Sequence, residues 1–229
     1  MARLGLDYSE IEKINPRVIY CSMTGYSQDG PKRDVAGHDL NYIGDTGLLA
    51  LSMGEPERPV VPPTLIADIA GGAYPTVINA LLALQQRART GRGCYLDISM
   101  AANLFLFTYW ALGNGRAAGM WPGNGTDLAT GGLPRYHLYP TADGKIIAVA
   151  PLEKFWDTFC DIIELNASFR DDARDPNATV RAVAAAIRGR TAEEWCKCFV
   201  GRDCCCSIVT TLQEAIADPQ FRHLSTTGL

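Results

Sequence analysis

Three side chains of this 229-residue sequence stand where they could do chemistry: His38, Asp68 and Glu153. A positioned imidazole or carboxylate is the usual agent of general acid–base catalysis. His38 lies in Ala-Gly-His-Asp-Leu-Asn-Tyr, behind Gly37, whose missing side chain lets backbone approach a ligand closely. Asp39, Asn41 and Tyr42 crowd further hydrogen-bonding groups into the same segment. A lone histidine is more often structural than catalytic, and it is this company that singles out His38. Asp68 stands in the apolar stretch Leu-Ile-Ala-Asp-Ile-Ala-Gly-Gly-Ala, where a charge is costly unless paired or functional. One reading makes it the N-cap of the following helix. The other takes Gly71 and Gly72 as small residues that leave room for a ligand, with the helix N-terminus favouring a charged carboxylate. Glu153, between Pro151-Leu152 and an amphipathic stretch, is what the first turn of any helix accepts. His137, in a strand beside Tyr136 and Tyr139, and His223, near the C-terminus, have less to recommend them.

The elements that must position these residues follow from periodicity. Asp7 to Asn15 predicts a short helix with Leu6, Ile11 and Ile14 on one side, and Val18 to Met23 predicts a buried strand. A helix and one strand do not make a sheet, so the chain is expected to begin inside a domain. Pro56 to Pro63 is expected to be irregular. Ile66 to Arg89 reads as a long helix broken by Gly91, Tyr95 to Ile98 as a short strand, and Met100 to Leu112 as an apolar helix. The stretch 113–134 is glycine-rich and reads as a linker. Beyond it, Tyr136–Tyr139 and Ile146–Ala150 flank the turn Ala142-Asp143-Gly144 as a hairpin. Helices are expected over Lys154–Leu165, Ala178–Arg188 and Leu212–Ala217, and Thr191 with Glu194 forms a capping box for another. Ser207 to Thr210 predicts a last strand. The domains are thus 1–112, a linker, and 135–229.

Bulk properties exclude more than they assign. Hydrophobic residues at 47% and charged residues at 20% are globular values. The net charge of −4, without a basic stripe, gives no reason to expect nucleic acid. No apolar run reaches the roughly 18 residues needed to span a bilayer, so no membrane partner is expected. Five of the eight cysteines crowd into Cys196–Cys206, in a pattern that suits neither a disulfide framework nor a tetrahedral metal site. Reduced thiols in a cytoplasmic setting, or a mitochondrial or peroxisomal one in a eukaryote, are the expectation.

Five blocks, in order, resemble the family III CoA-transferase (CaiB/BaiF) superfamily, on its α-methylacyl-CoA racemase side. They are AGHDLNYIGDTGLLAL, LIADIAGGAYPTVINALLALQQRARTGRG, GRGCYLDISM, LPRYHLYPTADGKIIAVAPLEKFWDTFC and TAEEWCKCFVGRDCCCSIVTTLQEAIADPQF. The resemblance implies an α/β fold: part of a Rossmann-like large domain followed by a small α+β domain. It implies that His38 and Asp68 move a proton at the two faces of an acyl-CoA Cα, and that Glu153 supports the histidine. It places the backbone of Gly37–Asp39 against the coenzyme A, with Asn41, Tyr42, Gly71 and Gly72 around the substrate. Coenzyme A enters only as part of the substrate, and no other cofactor or metal is implied. The same superfamily contains CoA-transferases, in which the aspartate matching Asp68 is a nucleophile. The resemblance implies that members begin with a further Rossmann-like region and form interlocked homodimers, and on it the chain is expected to lack both that region and a C-terminal segment. It is therefore expected to be feeble or inactive alone. Met23, Met53, Met100 and Met120 are either an adaptable acyl lining or ordinary packing residues.

Overall fold

A computed structural model describes residues 1–221, so His223 lies outside the described residues. The chain divides into two compact units, Met1–Asn124 and a second beginning at Gly125.

In the first unit the Asp7 carboxylate accepts from the Glu10 amide at 3.2 Å and starts helix α1 (Tyr8–Ile14). Strand β1 (Ile19–Thr24) follows, then helix α2 (Asp39–Asp45). The Pro-rich segment is less irregular than expected. It holds a two-residue hairpin, β2 (Gly54–Glu55) with β3 (Arg58–Pro59), closed by Val60 N–H donating to the Met53 carbonyl at 2.7 Å. The long helix opens with a wide π-helical stretch, Ala67–Ala73, continues as α3 (Tyr74–Thr90), and stops at Gly91, which adopts φ 74°. Strand β4 (Cys94–Ser99) then pairs parallel with β1, from Ile19 opposite Cys94 to Thr24 opposite Ser99. A parallel pair needs a crossover, and the long helix supplies it. Gly93 allows the strands to meet: a Cβ there would fall 1.7 Å from the Val18 carbonyl oxygen.

Two expectations fail here. β1 is not buried: its positions alternate between partly buried and exposed, because β4 is its sole partner among the described residues. The apolar helix after β4 is not continuous. It becomes α4 (Met100–Asn103), a 3-10 turn at Leu104–Leu106, and α5 (Tyr109–Ala118), which occupies residues 113–118 of the expected linker. Gly115 makes room there for the Trp121 ring, 2.4 Å from where a Cβ would lie, so a glycine that reads as loop serves helix packing.

The helix Ala67–Thr90, at 24 residues and mean hydropathy 1.2 in its most apolar window, is long and apolar enough to cross a bilayer by length and composition. Thr76 and Asn79 interrupt its apolar run. Both side chains donate within the helix, to Gly72 O and Pro75 O at 2.8 Å.

The second unit is a three-stranded antiparallel sheet with helices packed on it. Strands β5 (His137–Pro140) and β6 (Ile146–Val149) form the expected hairpin. Helices α6 (Phe155–Ile162), α7 (Pro176–Ile187) and α8 (Ala192–Phe199) follow, then β7 (Cys206–Ile208) against β6, and α9 (Leu212–Ala217). Tyr139, Ile147 and Val149 of the sheet meet Trp156 and Phe159 of α6, Val183 and Ile187 of α7, and Trp195 and Phe199 of α8 in one core. Full burial of a side chain such as Phe159 contributes about 1.5–3 kcal/mol. The Thr191–Glu194 capping box forms as expected, at 2.8 and 3.3 Å. Asp143 in the hairpin turn also accepts from the Ala192 amide at 3.0 Å, so the turn holds the start of α8. His137 is structural: its Nδ1 meets the Gly131 carbonyl at 2.5 Å.

Candidate active site

The chain enters α2 through His38, whose amide donates to Asn41 Oδ1 at 3.1 Å. The His38 carbonyl accepts from the amides of Asn41 and Tyr42 at 2.9 and 3.2 Å. Asn41 therefore closes the turn that carries His38, and His38 itself is exposed. Its neighbour Asp39 does the opposite, being only 5% exposed. The Asp39 carboxylate reaches the start of the long helix, where one oxygen accepts from Ala67 N–H at 2.6 Å and Asp68 N–H at 3.0 Å. Two otherwise orphaned amides of a helix terminus are thereby satisfied. The N-cap reading of Asp68 is corrected: Asp68 lies in the first turn, and its own amide is capped by Asp39.

Tyr42 and the glycines also do work the sequence did not suggest. Tyr42 is buried, and its phenol donates to the Gly37 carbonyl. A Cβ on Gly37 would lie 2.9 Å from the Tyr42 ring, and one on Gly25 2.4 Å from it. The ring of Tyr26 meets that of Tyr42 edge-on, with centroids 5.2 Å apart. Tyr42 is thus a wedge that braces the loop before His38. Gly71 and Gly72 are both buried, and their missing side chains admit helix α4. A Cβ on Gly71 would fall 2.5 Å from the Met100 carbonyl oxygen, and one on Gly72 3.1 Å from the sulfurs of both Met100 and Met23. Asn103 of α4 fastens the contact by donating to the Gly71 carbonyl at 2.7 Å.

Asp68 remains partly exposed at the mouth of this arrangement. It is close enough for its charge to act on Tyr42, whose phenol is held above its ordinary pKa first by burial and then by Asp68. The first unit therefore assembles His38, Asp68 and their neighbours from two segments 30 residues apart in sequence. Glu153 belongs to the second unit. It is exposed, precedes α6 with φ 50°, and its carbonyl accepts from Trp156 N–H at 3.2 Å. A left-handed conformation is uncommon for a residue with a Cβ and is often found at functional positions. A cavity of about 650 Å³ in the first unit is lined by Tyr8, Tyr20, Ser22, Thr24, Gln28 and Tyr95 among others, and contains neither His38 nor Asp68. Sequence reasoning missed Asn103 and Tyr26 because their partners are distant in the chain and neither sits in a distinctive motif.

Comparison with known proteins agrees with this architecture. Residues 1–227 match the model of CoA-transferase family III. The chain is 32% identical to mouse alpha-methylacyl-CoA racemase over 221 residues, covering 94% of the chain and 58% of that protein. It is 26% identical to human succinyl-CoA:glutarate CoA-transferase, covering 97% of the chain and 52% of that protein. The crystal structure of a CaiB/BaiF family protein from Brucella suis superposes with a TM-score of 0.74 at 26% identity, covering 97% of this chain and 60% of that one. The chain belongs to CoA-transferase family III and has the α/β fold of CaiB/BaiF proteins. It spans less than two thirds of the length of these relatives.

Proposed function

We propose that this chain carries the acid–base centre of an acyl-CoA epimerase acting on 2-methylacyl thioesters. The observation that carries the reading is the Asp39 bond to the Asp68 turn, which draws the His38 segment and the Asp68 helix into one place. In one direction the neutral His38 imidazole takes the Cα proton, and the C–H electrons move into the thioester as an enolate. Protonated Asp68 then returns a proton to the opposite face; reversal exchanges the roles. Backbone of Gly37–Asp39 lies against the coenzyme A, and the thioester oxygen needs donors as charge develops. No cofactor is consumed, since coenzyme A is the carrier of the substrate, and a homodimer completes the protein.

The likeness to a succinyl-CoA:glutarate CoA-transferase gives the second reading, in which Asp68 attacks a thioester to form an anhydride and release CoA thiolate. Deuterium wash-in at C2 of a 2-methylacyl-CoA, read by mass spectrometry after long incubation in D₂O, separates the two. Uptake in the wild type is expected of the epimerase, with inversion at C2 abolished by either His38→Ala or Asp68→Ala. An Asp68 hydroxamate trapped with hydroxylamine, in a protein that shows no wash-in, would overturn it in favour of the transferase.

A further inference from the structure

Asp39 enters the family resemblance only as backbone against the coenzyme A, yet its side chain has a separate and unusual placement. A carboxylate that is 5% exposed normally demands a cation or several donors. Its recorded partners are backbone amides, Ala67 N–H at 2.6 Å and Asp68 N–H at 3.0 Å, 28 and 29 residues along the chain. Charge-assisted bonds of this kind are the stronger class of hydrogen bond. The helix N-terminus adds a favourable field for the same charge. Asp39 is the residue next to His38, and Asp68 is one of the two residues it holds.

We infer that Asp39 is the positioning residue of the acid–base pair, fixing the Asp68 turn at a set distance from the His38 turn. The inference rests on the proposed function for its catalytic meaning, though the tether itself does not. Its physical basis is that proton transfer at both faces of one carbon requires two groups held at fixed separation. A misplacement near 1 Å lowers rates by as much as about 100-fold. Asn41 and Tyr42 fix the turn around His38, and Gly71, Asn103 and Met100 fix the helix from behind. Asp39 is the link that joins one assembly to the other.

The test pairs Asp39→Ala with Asp39→Asn in the full 229-residue chain. Asparagine keeps an oxygen acceptor of the same reach, whereas alanine has none. In ¹⁵N-labelled protein, exchange of the Ala67 and Asp68 amides is expected to quicken at least about 10-fold in Asp39→Ala, as for loss of a charge-assisted bond, and much less in Asp39→Asn. Unchanged amides in a folded Asp39→Ala protein would overturn the tether. For wash-in, Asp39→Ala is expected to lower kcat about 10- to 100-fold with little change in KM, and Asp39→Asn to restore most of it. Equal kcat in wild type and Asp39→Ala would overturn the positioning role. Absence of wash-in from wild type with the amide responses intact would instead sink the proposed function and leave the tether standing.

Discussion

In the second unit fourteen buried apolar residues, from Tyr139 to Cys204, form one cluster that sheet and helices share. The corresponding cluster of the first unit has five: Tyr42, Ile43, Ala67, Ala101 and Leu104. Along α3 only Ala83 is buried, while Val77, Ile78, Leu81 and Leu82 stand more than half exposed. The unit that carries His38 and Asp68 is therefore held at its site by hydrogen bonds and close glycine contacts, and the other by hydrophobic packing. A small core does not prevent precise placement when polar groups span the segments that matter. The contrast also assigns each unit a distinct weakness: cavities for the second, loss of polar or steric fit for the first.

The largest effect is expected from Phe159→Ala, which opens a cavity in the fully enclosed core and should cost about 3–5 kcal/mol. Denaturant unfolding with hydrogen exchange at second-unit amides measures it; a loss under about 1 kcal/mol would remove the packing half of the contrast. Gly71→Ala comes next, at about 1–3 kcal/mol, because its Cβ meets the Met100 backbone and neither helix can yield cheaply. Faster exchange over Ala67–Ala73 and Met100–Asn103 is the expected signature, and a neutral outcome would show that α4 is free to move. Tyr42→Phe keeps the wedge and removes the bond to Gly37 O, for about 1 kcal/mol and a loosened His38 turn. If Tyr42→Phe proves as damaging as Phe159→Ala, the ordering is wrong.

The smallest effect concerns pH. Asp143 is held below its ordinary pKa first by the Thr141 hydroxyl and then by the Ala192 amide. A depressed carboxylate contributes stability above its unfolded pKa, near 4, and loses it as pH falls through the folded value. The start of α8 should therefore loosen in acid, and Asp143→Asn should flatten that limb. Melting temperatures between about pH 2 and 6 test this, and an identical acid limb in the variant would show that the turn carboxylate does not couple to α8.

Part of this was legible in the residues alone. Thr191 with Glu194 specifies a capping box because donor and acceptor lie within one turn, and the helix forms there. Thr211 with Glu214 works in the same way at α9. Gly91 ends the long helix because the left-handed conformation it adopts favours glycine. Glycine elsewhere was read less well. Gly71, Gly72 and Gly115 look like space for a ligand or a loop, yet Gly71 and Gly72 abut Met100, remote in sequence, and Gly115 abuts the Trp121 ring six residues on. The discontinuity after β4 was hidden for a related reason, since the run from Met100 to Leu112 is apolar whether or not its backbone continues as one helix.

The distinction is clearest among the carboxylates. Asp7, Asp175 and Glu194 bond amides three residues away, so local chain geometry alone brings donor and acceptor together. Asp39 and Asp143 bond amides 28 and 49 residues away, and nothing in a one-dimensional pattern tells them from surface aspartates. The sequence by itself determined the family and most of the order of helices and strands, and it singled out His38 and Asp68 as candidates. Tertiary structure decided which residues hold that pair in place, because a long-range hydrogen bond exists only after two distant segments have packed.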